Sequence, residues 1–313
     1  MKALVTGAAG FIGSTLAEHL LAEGADVVGI DCFTDYYARA LKEANVAPLR
    51  VHPRFTFVEA ALQDTNLDTV LDGVTHVFHL AAQAGVRKSW GSHFDVYVVN
   101  NIGATQHLLE RCAGRPLERF VYASTSSVYG DAVEIPMRED ARVQPVSPYG
   151  VTKLAAEHLC FLYQTNYDVP CCAVRYFTVY GPRQRPDMGF HRFLTAAIDG
   201  RSITRFGDGE QTRDFTFVAD AVKATYLAGL HGVPGEVYNI GGGSRVSVNE
   251  VFDLVARVTG RPMDIEVLPA QMGDMRDTYA DTSRARATLG FQPSVTLADG
   301  LLAEYQWLLS TRS

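Results

Sequence analysis

The sequence has little of what marks disulfide-rich or metal-binding proteins. Its 313 residues contain five cysteines, an odd number with no CxxC spacing. This pattern argues against a disulfide framework and against a zinc site. We therefore expect buried, reduced thiols at Cys32, Cys112, Cys160, Cys171 and Cys172.

Long apolar runs and an excess of basic charge are also missing. No apolar stretch approaches the roughly 20 residues that span a bilayer, so we expect no membrane partner and a cytoplasmic protein. The formal net charge is -7, and the lysines and arginines are scattered along the chain. Because nucleic-acid binding needs clustered positive charge, we expect no nucleic-acid partner.

What is present is the composition of an ordinary globular protein, with 47% hydrophobic and 20% charged residues. At roughly 150 residues per domain, the length fits about two domains or one large α/β unit. The chain is thus long enough to bury a sizeable core.

Short apolar runs alternate with amphipathic stretches in the first 180 residues. The runs predict strands at 2–5, 26–30, 55–58, 76–79, 119–123 and 171–176. Helical periodicity covers 11–23, 96–112 and 149–167. This alternation predicts an α/β fold with a doubly wound parallel (Rossmann) sheet.

From about residue 181 the texture changes to Gly-, Pro- and Arg-containing loops between shorter elements. We expect residues 1–180 to form a cofactor-binding Rossmann domain, to which later segments return. Residues 181–313 are expected to form mainly a smaller mixed α/β substrate-binding domain.

A GxxGxxG loop follows the first strand and opens the first helix. Its glycines allow a tight turn and bring a pyrophosphate close to backbone N–H groups at the helix N-terminus. Asp31 ends the second strand, where a carboxylate accepts from both ribose hydroxyls of NAD and repels a 2'-phosphate. The pattern predicts NAD binding by Gly7, Gly10, Phe11, Ile12, Gly13 and Asp31.

A second constellation begins at a hydroxyl-rich strand end, residues 124–127, and continues with Tyr149 and Lys153. Tyr and Lys four residues apart share one helix face, so the ammonium can favour the ionised phenol. A free tyrosine has a pKa of about 10 and needs a nearby cation to act as a base at neutral pH. We therefore expect Tyr149 to be an acid/base group supported by Lys153.

These motifs resemble the extended short-chain dehydrogenase/reductases of the nucleotide-sugar epimerase and dehydratase group over essentially the whole chain. Asn101 and the later segments 213–218 and 238–241 match the group's pattern as well. The resemblance implies that Thr125 and Tyr149 bind the reacting sugar hydroxyl and that Lys153 holds the nicotinamide ribose. It also implies cofactor contacts at Ala81 and around Leu62, although 59–62 reads Glu-Ala-Ala-Leu where the family often has Asp.

Within the group, two hydroxyl side chains distinguish this sequence. Dehydratases and decarboxylases of the group carry acidic residues where this chain has Ser126 and Ser127. A carboxylate there would repel a uronic acid, whereas hydroxyls can donate to one. Together with segments 83–87 and 175–188, this resembles UDP-glucuronate 4-epimerases most. The implied reaction is epimerisation of UDP-glucuronate to UDP-galacturonate through a 4-keto intermediate and transient NADH.

The resemblance supplies the remaining substrate contacts. Sugar binding is expected from Thr125, Ser126, Ser127, Tyr149, Thr178, Arg185 and Arg192, and UDP binding from Arg213 and from Arg276 in the run 273–276. Arg87 is expected to be a further substrate contact. The group commonly forms dimers through the helices predicted at 96–112 and 149–167, so a homodimer is expected.

Three alternatives remain at this point. The chain can be a 4-epimerase of neutral or N-acetylated UDP-hexoses, a UDP-glucuronate decarboxylase, or an inactive NAD-binding scaffold. His79 and His191 lie far apart in the sequence, so no metal site is expected.

Overall fold

The structure is a computed structural model that describes residues 1–131, 134–269 and 275–312. Its strands, numbered along the chain, are β1 (Lys2–Thr6), β2 (Asp26–Asp31), β3 (Phe55–Glu59), β4 (His76–His79), β5 (Arg119–Thr125), β6 (Cys171–Tyr176), β7 (Thr178–Tyr180), β8 (Ile203–Phe206), β9 (Thr212–Phe217), β10 (Val237–Ile240), β11 (Arg245–Ser247) and β12 (Ile265–Leu268). The α-helices are α1 (Phe11–Ala22), α2 (Arg39–Arg50), α3 (Leu67–Val70), α4 (Phe94–Tyr97), α5 (Ala104–Cys112), α6 (Pro148–Tyr167), α7 (Gly189–Asp199), α8 (Val218–His231), α9 (Val248–Thr259) and α10 (Leu297–Ser310).

A parallel sheet of seven strands, in the order β10-β6-β5-β4-β1-β2-β3, forms the centre of the described structure. Its strands are largely buried on both faces because successive side chains enter different cores. Leu4 packs with residues of α3, α5 and α6 on one face. Val5 packs with residues of α1, α2 and α8 on the other. Burial on both faces is characteristic of parallel sheets, and the predicted fold class is confirmed.

The carboxyl-terminal half contributes to this sheet and also builds a separate core. Strand β10 pairs with β6 at the sheet edge, and α8 packs against α1. Helices α7, α9 and α10 enclose a third core around Phe190, Phe215 and Leu301. Segments after residue 180 thus lie both at the central sheet and in the separate core. A domain boundary at residue 180 stays a prediction.

The stretch 96–112, expected to be one helix, is divided in the structure. Helix α4 passes into a π-helical segment, Val98–Gly103, before α5 begins. Asn101 lies buried in this segment. Such segments widen a helix locally and often occur at functional sites.

Two further findings concern the absences in the sequence. Among the described residues, the helices are all too short or too polar to cross a membrane. All five cysteines are free, and four are buried as expected, but the expectation was wrong for Cys32, which is exposed. Cys32 follows Asp31 at the end of β2 and lines a cavity there.

Candidate active site

A cavity of about 230 Å³ opens at the carboxyl ends of the central strands. In doubly wound sheets, ligands bind at this edge. Every residue predicted to contact the cofactor lines the cavity: Gly7, Gly10, Phe11, Ile12, Gly13, Asp31, Leu62, Ala81, Tyr149 and Lys153.

The glycine loop is close-packed between β1 and α1. Gly7 has a φ of 72°, and a Cβ there would lie 3.0 Å from the backbone nitrogen of Ala81. A Cβ on Gly13 would collide with the carbonyl of Gly7. The start of α1 has no side-chain cap and no acidic residue in its first turn. Its backbone N–H groups are therefore suited to a pyrophosphate.

Asp31 is held in place by two backbone amides. Its carboxylate oxygens accept from the N–H of Ala9 at 3.1 Å and of Phe33 at 2.8 Å. Burial raises the pKa of Asp31, while these amides and Lys42 act in the opposite direction. The residues present therefore fit an NAD ribose beside a fixed carboxylate and a pyrophosphate at α1.

A second cavity of about 580 Å³ adjoins the first and reaches into the carboxyl-terminal half. Its lining contains nine of the ten predicted substrate residues: Arg87, Thr125, Ser126, Ser127, Tyr149, Thr178, Arg185, Arg192 and Arg213. The structure therefore brings these side chains together from β5, β7, β9, α6, α7 and the loops after β4 and β7.

Arg276 is the exception among the predicted substrate residues. Its side chain is 68% exposed and pairs with Asp208 at 3.5 Å, outside the lining of the second cavity. Arg213 lies nearby and donates to the carbonyl of Arg276 at 3.0 Å. The preceding residues 273–274 of the predicted run lie outside the described residues. A role for Arg276 in UDP binding stays a prediction.

Tyr149 lines both cavities, at their junction. Burial raises the pKa of its phenol, while the Arg185 guanidinium and a hydrogen bond with Thr125 lower it. The sequence indicated Lys153 as the supporting cation. The structure adds Arg185, which also lines both cavities, as a charge acting on this phenol.

Lys153 lies one turn after Tyr149 on α6 and is almost fully buried. Its ammonium is 4.3 Å from the centre of the Tyr122 ring. Burial lowers the pKa of Lys153 to about 7, with Cys160 and Glu157 acting in the opposite direction. Its charge is therefore sensitive to pH near neutrality.

Asn101 fixes the surroundings of α6. Its side chain accepts from the N–H of Gln83 at 2.7 Å and donates to the hydroxyl of Thr152 at 3.0 Å. Thr152 in turn donates to the carbonyl of Tyr149 at 2.9 Å. The π-helical segment thereby links the loop after β4 to the turn that carries Tyr149.

A buried ion pair connects α6 to the ends of β5 and β6. Glu157 pairs with Arg175 at 2.5 Å and accepts from the hydroxyl of Ser124 at 2.5 Å. The side chains of Arg175 and Glu157 are only 5% and 2% exposed, respectively. Because Ser124 precedes Thr125, this pair holds the catalytic candidates of β5 and α6 against each other.

The hydroxyl cluster after β5 faces the second cavity. The Thr125 hydroxyl donates to the Ser127 hydroxyl at 3.3 Å and accepts from the backbone N–H of Ser127 at 3.2 Å. Hydroxyl side chains therefore line the second cavity at the positions where the sequence resemblance led us to expect no acidic residue.

Sequence reasoning did not assign Tyr36, Asp187 or Phe206, all of which line the second cavity. Tyr36 also lines the first cavity. The guanidinium of Arg87 lies 4.5 Å from the centre of the Phe206 ring. Tyr36 and Asp187 lie in loops and Phe206 ends β8, far apart in the sequence, so only the fold could place these side chains at one site.

The two histidines do not approach each other as a metal site. His79 is buried between the hydroxyls of Thr6 and Thr105, at 2.8 and 2.9 Å. Burial lowers the pKa of His79 to about 3. His191 lies in the first turn of α7, which begins at Gly189. Within the described ranges, no group of three His, Cys, Asp or Glu side chains is arranged to hold a metal ion.

Known proteins share this whole architecture. A Bacillus cereus UDP-glucuronic acid 4-epimerase, solved in complex with UDP-glucuronic acid and NAD, is 44% identical with a TM-score of 0.97, covering 99% of this chain and 100% of that chain. A Bacillus subtilis protein named "Uncharacterized UDP-glucose epimerase YtcB" is 45% identical over 99% of this chain and 98% of its own length. A UDP-glucuronate 4-epimerase of Thermodesulfobacterium geofontis is 38% identical over 97% and 95%.

The match to a protein family agrees with the cavities described above. Residues 3–241, which include both the glycine loop and the Tyr149–Lys153 pair, match the description "NAD dependent epimerase/dehydratase family". The chain therefore belongs to the NAD dependent epimerase/dehydratase family.

Proposed function

We propose that the protein is a UDP-glucuronate 4-epimerase, an isomerase that interconverts UDP-glucuronate and UDP-galacturonate with NAD as its cofactor. The observation that carries the proposal is the junction of the two cavities. There Tyr149 stands beside the hydroxyls of Thr125, Ser126 and Ser127, with Arg185 on the lining as well. Acid/base chemistry, hydroxyl donors and positive charge thus meet at one place.

NAD would be held by the glycine loop, by Asp31 at the adenosine ribose and by Lys153 at the nicotinamide ribose. When bound, it supplies an oxidant that takes a hydride from C4 of the sugar and later returns it to the opposite face. Leu62 lines the first cavity, and backbone groups around it would contact the adenine where the family often has Asp.

Tyr149 takes the proton from the sugar's O4 as C4 is oxidised, and gives it back when C4 is reduced. Thr125 orients the same hydroxyl through its contact with Tyr149. The positive charge of Arg185 favours the phenolate that burial disfavours. Between the two steps the 4-keto sugar rotates in the larger cavity. The hydride then returns to its opposite face, which inverts C4.

The C6 carboxylate would be recognised by the hydroxyl cluster and Thr178 together with at least one of Arg185 and Arg192. Charge-assisted hydrogen bonds to a carboxylate are stronger than neutral ones. The nucleotide half of the substrate would be bound by Arg213, which lines the second cavity, and by Arg276, whose carbonyl accepts from Arg213. Arg87, on the same lining, would be a further substrate contact.

A second candidate is a 4-epimerase of neutral UDP-hexoses. The 45% identity to a protein named as a UDP-glucose epimerase favours it. The hydroxyls at Ser126 and Ser127 also accommodate a neutral sugar. Only a comparison of substrates on one protein preparation separates the two functions.

The helices that flank the sheet offer a surface for a second copy of the chain. Val96 and Val99, before α5, are 45% and 54% exposed, and Val151 and Leu162 on α6 are 49% and 55% exposed. A homodimer through these helices would cover this apolar face. Size-exclusion chromatography with light scattering tests it, since Val99→Lys together with Val151→Lys should then give a monomer. An unchanged mass would exclude this face.

The cytoplasm is the compartment we propose for this activity. Four buried free thiols, all unpaired with one another, fit a reducing environment.

Incubation of the purified protein with UDP-glucuronate, followed by identification of the product, tests the proposed function. We expect UDP-galacturonate. A UDP-pentose would indicate a decarboxylase, and turnover restricted to UDP-glucose and UDP-galactose would indicate the neutral-sugar epimerase. If the NAD-loaded protein converts neither UDP-glucuronate nor a neutral UDP-hexose, the result would indicate a non-catalytic scaffold.

A further inference from the structure

A cluster of three side chains lies where the loop after β7 meets the loop after β2. Arg185 donates from Nε and Nη2 to the two carboxylate oxygens of Asp187, each at 3.0 Å. The side chains are 20% and 30% exposed. This parallel two-bond geometry is the strong, directional arrangement of a guanidinium and a carboxylate. Arg185 thus already has a carboxylate partner within the chain.

Asp187 has a second donor outside this pair. Tyr36 donates its hydroxyl to Oδ2 of Asp187 at 3.1 Å. The ammonium of Lys88 lies 4.8 Å from the centre of the Tyr36 ring, so another cation lies beside this cluster. Gly85, with a φ of 102°, makes room for Tyr36, because a Cβ there would collide with the tyrosine hydroxyl.

An acidic sugar entering the second cavity therefore meets an arginine that another carboxylate occupies. Two carboxylates on one guanidinium repel each other unless one of them moves away. Asp187 can leave the guanidinium and keep a partner, because Tyr36 already donates to it. A neutral sugar brings no second carboxylate, so the Arg185–Asp187 pair stays intact when it binds.

We propose that Asp187 is the resident counter-ion of Arg185, and that an acidic sugar nucleotide binds by taking its place on the guanidinium while Asp187 stays on the Tyr36 hydroxyl. Asp187 thereby sets how strongly the site selects acidic over neutral sugars. It acts through Arg185 and is a positioning residue in this account. This inference rests on the proposed function, since it assumes that the C6 carboxylate of the sugar binds in the second cavity.

The size of the effect follows from the charges. Two unit charges about 6 Å apart change a binding constant between about 3-fold with water-like screening and about 100-fold at the lower dielectric of a protein surface. Removing the charge of Asp187 should therefore strengthen binding of an acidic sugar within this range and leave a neutral sugar nearly unaffected.

Asp187→Asn tests the proposal, because it keeps the shape of the side chain and its contact with Tyr36. Dissociation constants for UDP-glucuronate and UDP-glucose are measured by calorimetry on the NAD-loaded protein, in a Tyr149→Phe background that slows turnover roughly 10²- to 10⁴-fold. We expect the ratio of acidic to neutral affinity to rise at least about 3-fold. A weaker or unchanged preference for the acid overturns the proposal, since Asp187 would then only hold Arg185 in position.

The chain offers a matched control in an exposed pair. Arg138 and Asp140 have the same two-residue spacing, and Arg138 donates from Nε and Nη2 to the carboxylate of Asp140 at 3.1 and 3.4 Å. Their side chains are 63% and 62% exposed. Asp140→Asn should leave the ratio unchanged. Tyr36→Phe weakens the hold on Asp187 after displacement, so it should lower the acidic affinity alone.

Failure of the inference and failure of the proposed function give different results. If the protein with Tyr149 intact makes UDP-galacturonate but Asp187→Asn does not raise the acidic preference, only the counter-ion role is wrong. If that protein makes no UDP-galacturonate from UDP-glucuronate, the proposed function is wrong and the counter-ion role falls with it.

Discussion

Lys153→Met should make the cofactor-free protein more stable while removing its activity. Burial lowers the pKa of Lys153 from 10.5 to about 7. At about 1.4 kcal/mol per pKa unit, keeping this ammonium charged in the folded state costs roughly 5 kcal/mol at pH 6. Methionine fills a similar volume without a charge. It gives up the contact with the Tyr122 ring, about 0.5–2 kcal/mol, which leaves a net gain of about 3 kcal/mol.

The pH dependence of this gain has a definite sign. Between pH 7 and 10.5 the unfolded chain holds a proton on Lys153 that the folded chain has released. The contribution of Lys153 to the free energy of unfolding therefore rises with pH across this window. The advantage of the Met variant should shrink by about 3 kcal/mol between pH 6 and pH 9.

Urea unfolding of both proteins, stripped of cofactor, at pH 6 and pH 9 measures the difference. Lys223→Met, at an exposed position of α8, serves as the control and should show no comparable gain. A Lys153→Met protein that is less stable than the unchanged protein at pH 6, or a difference that does not vary with pH, would refute the reasoning.

Four further substitutions test the assigned roles. Tyr149→Phe should lower turnover by roughly 10²- to 10⁴-fold yet still bind the UDP-sugar, and retention of most turnover would refute its acid/base role. Asp31→Ala should weaken the preference for NAD over NADP in binding measurements, and an unchanged preference would remove Asp31 from ribose recognition. At least one of Arg185→Ala and Arg192→Ala should lower kcat/KM for UDP-glucuronate about 10- to 150-fold, with a smaller loss for a neutral UDP-hexose. If neither changes the acid-to-neutral ratio, these arginines do not read the carboxylate.

The central sheet and the cofactor loop were accessible from the sequence because their signals are local. All six predicted strands are present in the structure, since buried parallel strands appear as short apolar runs between turn residues. The glycine spacing after β1 likewise reports local features, a positive φ at Gly7 and close backbone packing at Gly13. Tyr149 and Lys153 were placed on one helix face by their spacing alone.

What the sequence did not predict depends on tertiary contacts. The π-helical segment Val98–Gly103 has the same apolar pattern as an ordinary helix and is tied in place by Asn101. A return of later segments to the sheet was expected, but the place of β10 at its edge was not, because strand order has no local signature. Tyr36 and Asp187 are 151 positions apart, so only the folded chain shows that they meet.

The fate of the hydrogen on C4 is the most direct test of the proposed reaction. UDP-glucuronate carrying deuterium at C4 is incubated with the protein in ordinary water, and the UDP-galacturonate formed is analysed by mass spectrometry and NMR. Because the hydride leaves C4 and returns to it within one closed site, we predict that the product keeps its deuterium at C4. Loss of the label to solvent would contradict an epimerisation through hydride transfer at C4.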